Sequence, residues 1–510
     1  MSRPLDAVDE WAHRRPESED SAESVEAKLA SLVAEALNVA RETIDTSRPL
    51  RDYGFDSLAA VTLTAGIEDW LGRPVDPALA TEFPTIEALA GFVAAELKGL
   101  RTPDEVPLEY DHFELFPEYL ELRARMDELQ RRGIANPFFR VHDGIARDTA
   151  VIAGREVINF SSYNYLGMSG DPVVARAAQA AIEAYGTSVS ASRIVAGERP
   201  LHRELEHELA ALLGTEDCVV YVSGHATNLA TIGFLMRPRD LILYDSDSHN
   251  SIVQGSALSR ASRQRFPHND WKALEALLAR WRRRYQRTLV VLEAVYSMQG
   301  DIPDLPRFIE VVKRHRALLM VDEAHSIGVL GTHGRGVGEH FGIDPASVDL
   351  WMGTLSKSFG SCGGYIAGDR AVVEHLRYGA PGFIYSVGMS PPNAGAALAA
   401  VRLMRAEPER VTRLQARIRL FRELAEARGL NVGASAKSAV VPVIVGDSVR
   451  CVALSEALLH RGISAMPVIW PAVAADAARL RFFVTCLHTE EQIRLTVAAV
   501  GEELAKLGAP

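Results

Sequence analysis

Two hydrophobic periodicities divide this chain. Over the first hundred residues apolar positions recur at helical spacing. Val25, Leu29, Leu32, Val33 and Leu37 form one stripe, and further stripes run from Ser57 to Leu71 and from Ile86 to Leu97, the last preceded by Thr85 as a cap. These predict a small all-α module over residues 21–98, after a polar tail at 1–20. Gly99, Pro103 and Pro107 mark a linker over 99–114, and Leu115 to Gly133 is a charged amphipathic helix expected to pack on the second domain. From about Asn159 the pattern changes to short apolar runs alternating with helical stretches. The candidate strands are Cys218–Val222, Leu241–Tyr244, Leu289–Leu292, Ala317–Val321, Leu350–Met352 and Tyr365–Ala367. Such alternation predicts an α/β domain with a mainly parallel sheet. Helices beyond Pro391, then Val440–Val445 and Leu480–Val484 as strands, predict a smaller α+β C-terminal domain. The body at 115–510 thus divides into an N-terminal segment (115–165), a large domain (166–390) and a small domain (391–510).

Charge sharpens this division. Residues 1–99 hold 19 acidic against 9 basic residues, which is −10 of the total −11. An acidic module therefore precedes a nearly neutral body, and neither has the basic balance of a nucleic-acid binder. No apolar run approaches a membrane span, and Met1–Asp20 lacks the apolar core of a signal peptide. The four cysteines lie far apart without metal-ligand spacing, so buried free thiols in a reducing cytoplasm are expected, and no metal site.

Open α/β sheets bind ligands beyond the carboxyl ends of their strands. Here those ends carry Ser223-Gly224-His225, Asp245 through His249, Glu293 through Ser297, Asp322 through His325, and Thr354 through Lys357. A lysine after a strand is ordinarily a solvated surface residue. This one shares its sheet edge with an acid and an imidazole, which together are the equipment for holding pyridoxal 5′-phosphate (PLP).

Two resemblances extend the picture. The stretch from Ser47 to Leu97, with Asp52-Tyr53-Gly54-Phe55-Asp56-Ser57-Leu58 and Phe83-Pro84-Thr85-Ile86, resembles an acyl carrier protein. That implies a four-helix carrier domain with 4′-phosphopantetheine on Ser57, placed there by a phosphopantetheinyl transferase. Without the resemblance, Ser57 would pass for an ordinary residue of a helix N-terminus. The body resembles the α-oxoamine synthases, a group that includes serine palmitoyltransferase and aminooxononanoate synthase. The likeness rests on Asn159-Phe160-Ser161-Ser162-Tyr163-Asn164-Tyr165-Leu166-Gly167, on Val321 through Gly328, on Gly334-Arg335-Gly336 and on Thr354 through Gly360. It implies the fold-type-I (aspartate-aminotransferase-like) architecture.

By this resemblance Lys357 would hold PLP covalently and, once released, remove the substrate α-proton as general base. Asp322 would pair with the pyridine nitrogen, His325 would hydrogen-bond the phenolic oxygen, and His249 would stack on the ring. The phosphate is expected at the backbone N–H groups of Gly224, His225 and Ala226, where a helix starts, and at the Thr354 hydroxyl. Ser297 matches a serine near the ring, and Asn164 a substrate-contacting position. Arg481 matches the arginine that grips the substrate carboxylate, with Arg479 expected to face solvent. One segment departs from the family: Ile384 through Pro392 is a residue longer than the pattern that sends a hydroxyl to the neighbouring subunit's phosphate, a role open to Ser386 or Ser390.

The implied activity is decarboxylative Claisen condensation of glycine, alanine or serine with an acyl thioester, carried on the chain's own carrier or supplied as acyl-CoA, in a homodimer with shared active sites. The alternatives are a fold-type-I aminotransferase acting on a carrier-bound carbonyl, and a non-catalytic synthase-like scaffold. Retention of Lys357, Asp322, His325 and His249 argues against the scaffold.

Overall fold

The computed structural model describes residues 21–508 apart from 38, 54–56, 72–74, 76–82, 84, 100–107, 132–135, 435–436 and 470–471. It separates into two compact units, Met1–Glu128 and Leu129–Pro510. In the first, helices α1 (Ala22–Leu37), α2 (Ser57–Leu71) and α3 (Ile86–Gly99) enclose a core of Val25, Leu29, Val33, Leu63, Ile67, Leu89 and Val93. The Ala88 N–H donates to Thr85 Oγ1 at 3.2 Å, so Thr85 caps α3 as the pattern required. A fourth α-helix of the expected bundle has no counterpart among the described residues, and most of 72–84 lies outside them. A charged helix, α4 (Pro117–Arg131), spans the division between the units, with Tyr119, Leu120 and Leu122 exposed.

The second unit opens with short strands β1 (His142–Asp143), β2 (Thr149–Ile152) and β3 (Arg155–Asn159). Its main sheet follows: β4 (Asp217–Tyr221), β5 (Leu241–Asp245), β6 (Ser262–Phe266), β7 (Thr288–Glu293), β8 (Leu318–Asp322), β9 (Leu350–Thr354) and β10 (Gly364–Gly368), in spatial order β4-β10-β9-β8-β7-β5-β6. β10 alone runs opposite to the other six strands of this sheet. Every residue of β5, β7 and β9 is buried, as helix-covered parallel strands require. Each large apolar side chain so placed contributes roughly 1.5–3 kcal/mol. All six expected strands of this sheet are present. The seventh, β6, escapes the apolar pattern because it is an edge strand with Arg263, Gln264 and Arg265 exposed.

The C-terminal part folds as β11 (Val440–Gly446), β12 (Ile463–Ser464), β13 (Met466–Val468) and β14 (Ala478–Phe483) with flanking helices. An antiparallel sheet runs β11-β14-β13, while β12 pairs parallel with β3. The two ends of the unit are thereby stitched together, and Phe160 packs edge-on against Phe421 and Phe482 at 5.8 and 5.5 Å. Three cysteines are buried as expected, but Cys362 is exposed. No helix among the described residues is long and apolar enough to cross a membrane.

Candidate active site

The parallel strands bring Asp245, Glu293, Asp322 and Thr354 to one edge of the sheet, and three residues beyond β9 comes Lys357. Asp322 is 5% exposed. Its Oδ2 accepts from Asn228 Nδ2 at 2.9 Å and its Oδ1 from the Ala324 N–H at 2.9 Å. A carboxylate has about four acceptor sites, so room remains for a further N–H donor. Asn228 also donates to Ser251 Oγ at 2.9 Å, which lies 2.7 Å from His249 Nδ1. This chain links Asp322 to His249, whose ring is exposed at the start of helix Asn250–Leu258. Glu293 accepts the His249 N–H, and burial, then the nearby Asp322 charge, push its carboxyl well above the usual range.

Lys357 is half-buried, and its Nζ stands 5.9 Å from the centre of the Tyr163 ring. Burial lowers its pKa from an ordinary 10.5 to about 8, against the pull of Asp322 and Glu293. About a tenth of the amines are then neutral at pH 7, against a few in ten thousand for an unperturbed lysine. Capture of PLP by the cofactor-free protein should accomplish most of its rise in rate as pH passes about 8. Stopped-flow absorbance at fixed PLP measures this; a midpoint near 10.5 would contradict it.

His325 is fixed by Tyr165, whose hydroxyl lies 2.8 Å from Nδ1. Tyr165 is fully buried, and burial drives its pKa well up, so it keeps its proton. His325 is the only hydrogen-bond partner of that hydroxyl among the described residues, so Tyr165 donates to Nδ1. Burial also holds the imidazole neutral. The remaining proton therefore sits on Nε2, the nitrogen free to donate to a ligand oxygen. Tyr165 and Asn228 are functional candidates that the strand-end pattern does not reveal.

At the end of β4, helix Gly224–Leu235 begins. A Cβ on Gly224 would lie 2.9 Å from Thr354 Oγ1, so only glycine admits this approach. Of the three expected phosphate donors, the Ala226 N–H is already given to Ser223 Oγ at 3.1 Å, because Ser223 caps the helix. The N–H groups of Gly224 and His225 are left. The Thr354 hydroxyl donates to the Gly363 carbonyl at 3.0 Å and accepts from Ser356 N–H at 3.2 Å, so it shapes the cradle and can only accept further. The half-buried amine, the Asp322 acceptor, the Nε2 donor and this glycine-lined helix start fit PLP in one orientation.

Arg481 is half-buried, with Nη1 donating to the Ser297 carbonyl at 2.9 Å and the guanidinium 4.8 Å over the Phe483 ring. Its Nε is buried without an acceptor among the described residues, which leaves a donor edge for a carboxylate. Arg479 does not face solvent: it is 6% exposed and donates to the carbonyls of Met298 and Ala477 at 3.2 and 2.9 Å. Residues two apart on a strand share a face, and both arginines of β14 reach the loop after β7. Ser297 therefore meets Arg481 through its carbonyl. The Asn164 side chain closes its own loop and ties it to the β1–β2 connection, donating to the Ser169 and Ala146 carbonyls at 3.2 and 2.8 Å and accepting the Ser169 N–H at 3.0 Å. In the departing segment, Ser390 accepts from Asn393, and Ser386 donates to the adjacent Val387 carbonyl.

In the first unit Ser57 is the opening residue of α2, while Gly54, Phe55 and Asp56 of its motif lie outside the described residues.

Comparison with known proteins agrees with both units. Residues 155–500 match the aminotransferase class I and II family, and residues 27–93 match the phosphopantetheine attachment site family. The chain is 39% identical over 386 residues to the 8-amino-7-oxononanoate synthase of Symbiobacterium thermophilum, covering 75% of this chain and 98% of that one. It is 38% identical over 366 residues to the 4-hydroxy-2,2'-bipyrrole-5-methanol synthase PigH of a Serratia species, covering 71% of this chain and 55% of that one. Among solved structures, the serine palmitoyltransferase of Sphingomonas wittichii superposes with a TM-score of 0.75 at 33% identity, covering 77% of this chain and 99% of that one.

Proposed function

The chain belongs to the class I and II aminotransferase family, in its PLP-dependent α-oxoamine synthase branch, and from that premise we propose that it condenses a small amino acid with an acyl thioester borne on Ser57. The observation that carries this reading is the presence in one chain of the Lys357–Asp322–His325 edge and a carrier-type serine at a helix start.

When bound, PLP supplies the electron sink that acidifies the substrate α-carbon. Asp322, held by Asn228, would accept the pyridine N–H, and His325, held by Tyr165, would donate its Nε2–H to the phenolic oxygen. Arg481 grips the substrate carboxylate through its unpartnered edge, which sets which α-carbon bond can break. Lys357 takes the α-proton as a neutral amine and returns it later. The α-carbon then forms a bond to the acyl carbonyl carbon while the carrier thiol leaves. Loss of the carboxylate as CO₂ and reprotonation give an α-aminoketone. Tethering holds the thioester at an effective concentration on the order of mM.

A phosphopantetheinyl transferase is the required modifying partner. Exposed Tyr385 and Val387, next to Ser386, support contact with a second copy in a homodimer. Four cysteines without a disulfide suit a reducing cytoplasm. The test is product analysis after the phosphopantetheinylated, acyl-loaded protein meets glycine, alanine or serine in turn. An α-aminoketone is expected from at least one; a 2-oxo acid with no new carbon–carbon bond would make the chain an aminotransferase instead.

A further inference from the structure

The loop at 296–301 joins two parts of the second unit that the chemistry above treats separately. On one side it receives both arginines of β14, Arg481 at the Ser297 carbonyl and Arg479 at the Met298 carbonyl. On the other it is tied to the loops after β5 and β6. Gln299 Nε2 donates to Asp247 Oδ2 at 3.0 Å, and Asp301 accepts from the Asn269 side chain. Its own turn is closed by Tyr296 N–H to the Asp301 carbonyl at 3.1 Å and Gly300 N–H to the Tyr296 carbonyl at 2.7 Å, with Gly300 at φ +69°.

At the centre of these ties is His268. Its Nδ1 lies 2.8 Å from Asp245 Oδ1, and its Nε2 lies 2.8 Å from Asp301 Oδ2. Tyr296 meets the same ring edge-on at 4.5 Å. Asp245, itself at 0% exposure, also accepts the Asn269 N–H at 2.8 Å, so its position is fixed by the sheet. Asp245, Asp247 and His268 bring one ligand atom each within 4.8 Å of one another, a grouping that could be taken for a metal site. The use of the ring argues otherwise. Each nitrogen faces a carboxylate oxygen, so both act as donors and the imidazolium is itself the cation. Burial opposes that charge, but the hydrogen bonds to Asp245 and Asp301 outweigh it and raise the pKa to about 10.

We propose that His268 is a positioning residue for amino-acid recognition: clamped between Asp245 and Asp301, it locks the 296–301 loop as a strap whose Ser297 carbonyl aims Arg481 at the substrate carboxylate. The inference rests on the reading of Arg481 given under the proposed function. Arg481 has one Nη committed to the strap and its Nε left without an acceptor, so a displaced strap misdirects the edge that would grip two carboxylate oxygens. A 1 Å misplacement can cost on the order of 10²-fold.

The experiment uses the full-length holoenzyme with His268→Gln and, in parallel, the isosteric Asp301→Asn, which removes one of the two carboxylates. Affinity is read from the change in cofactor absorbance on titration with whichever of glycine, L-alanine or L-serine the parent enzyme binds most tightly. Ethylamine serves as a probe without a carboxylate. The expected result is roughly tenfold weaker amino-acid binding or more, with PLP content, ethylamine affinity and the KM for acyl donor unchanged. Wild-type amino-acid affinity in both variants would overturn the inference, and so would parallel loss of ethylamine and PLP binding, which is the signature of general misfolding. Should His268→Gln not fold, Asp301→Asn decides alone. Arg481→Ala separates this inference from its premise. If that variant binds amino acid normally, the reading of Arg481 fails; if it loses the amino acid while the strap variants keep it, only the strap fails.

Discussion

Lys357→Ala should leave a folded protein that forms no detectable product. Proton transfer by a positioned base is worth roughly 10²–10⁴-fold, and loss of the covalent attachment point adds to that. The fold should not suffer. The Lys357 amine takes no hydrogen bond among the described residues, and burial lowers its pKa to about 8, so alanine removes a polar group that the folded state does not stabilise. Treatment with borohydride should fix PLP to the parent chain and not to the variant, and thermal melting should show no loss of stability. Small exogenous amines should restore part of the turnover. Undiminished product formation by Lys357→Ala would remove the base from the mechanism.

Ser57→Ala should carry the second large effect, and it should fall on a different step. The variant keeps every group at the edge of the main sheet, so PLP absorbance and amino-acid binding should match the parent. Its chain should gain no phosphopantetheine mass, and loading with an acyl group should fail. Free acyl-CoA could still supply the acyl carbon. At about 10 µM free donor, against an effective concentration of about 1 mM for a tethered one, turnover should fall roughly 10²-fold. Steady-state rates over a range of acyl-CoA concentrations check this; equal rates in both proteins would show that the carrier does not deliver the substrate.

The parts of the chain are legible in its sequence to different degrees. The strands of the main sheet stood out because burial on both faces demands unbroken apolar runs, as in Leu241–Tyr244 and Leu289–Leu292. The edge strand β6 has no such demand and reads as polar. Lys357, Asp322 and His325 were legible because polar groups at successive strand ends share one sheet edge. Residues that act on them were not. Asn228 reaches Asp322 across 94 positions, and no local spacing signals such a contact. Tyr165 lies inside the motif that carried the family resemblance, yet its bond to His325 spans 160 positions. Strand parity alone cannot place the loop after β7, which covers that face of β14 and takes Arg479 out of solvent. His268 follows the polar edge strand β6, which carries no apolar run to mark it, so the pattern does not show its place beside Asp245.

The central claim is that an acyl group leaves Ser57 to join the α-carbon of an amino acid as its carboxylate departs. Intact-protein mass spectrometry of the acyl-loaded chain, with simultaneous capture of CO₂ from amino acid labelled at the carboxyl carbon, tests it most directly. The expected result is loss of the acyl mass from the phosphopantetheine arm only when amino acid is present, with one labelled CO₂ released per acyl group lost. Retention of the acyl mass while amino acid is consumed, or acyl loss with the label kept in the product, would contradict it.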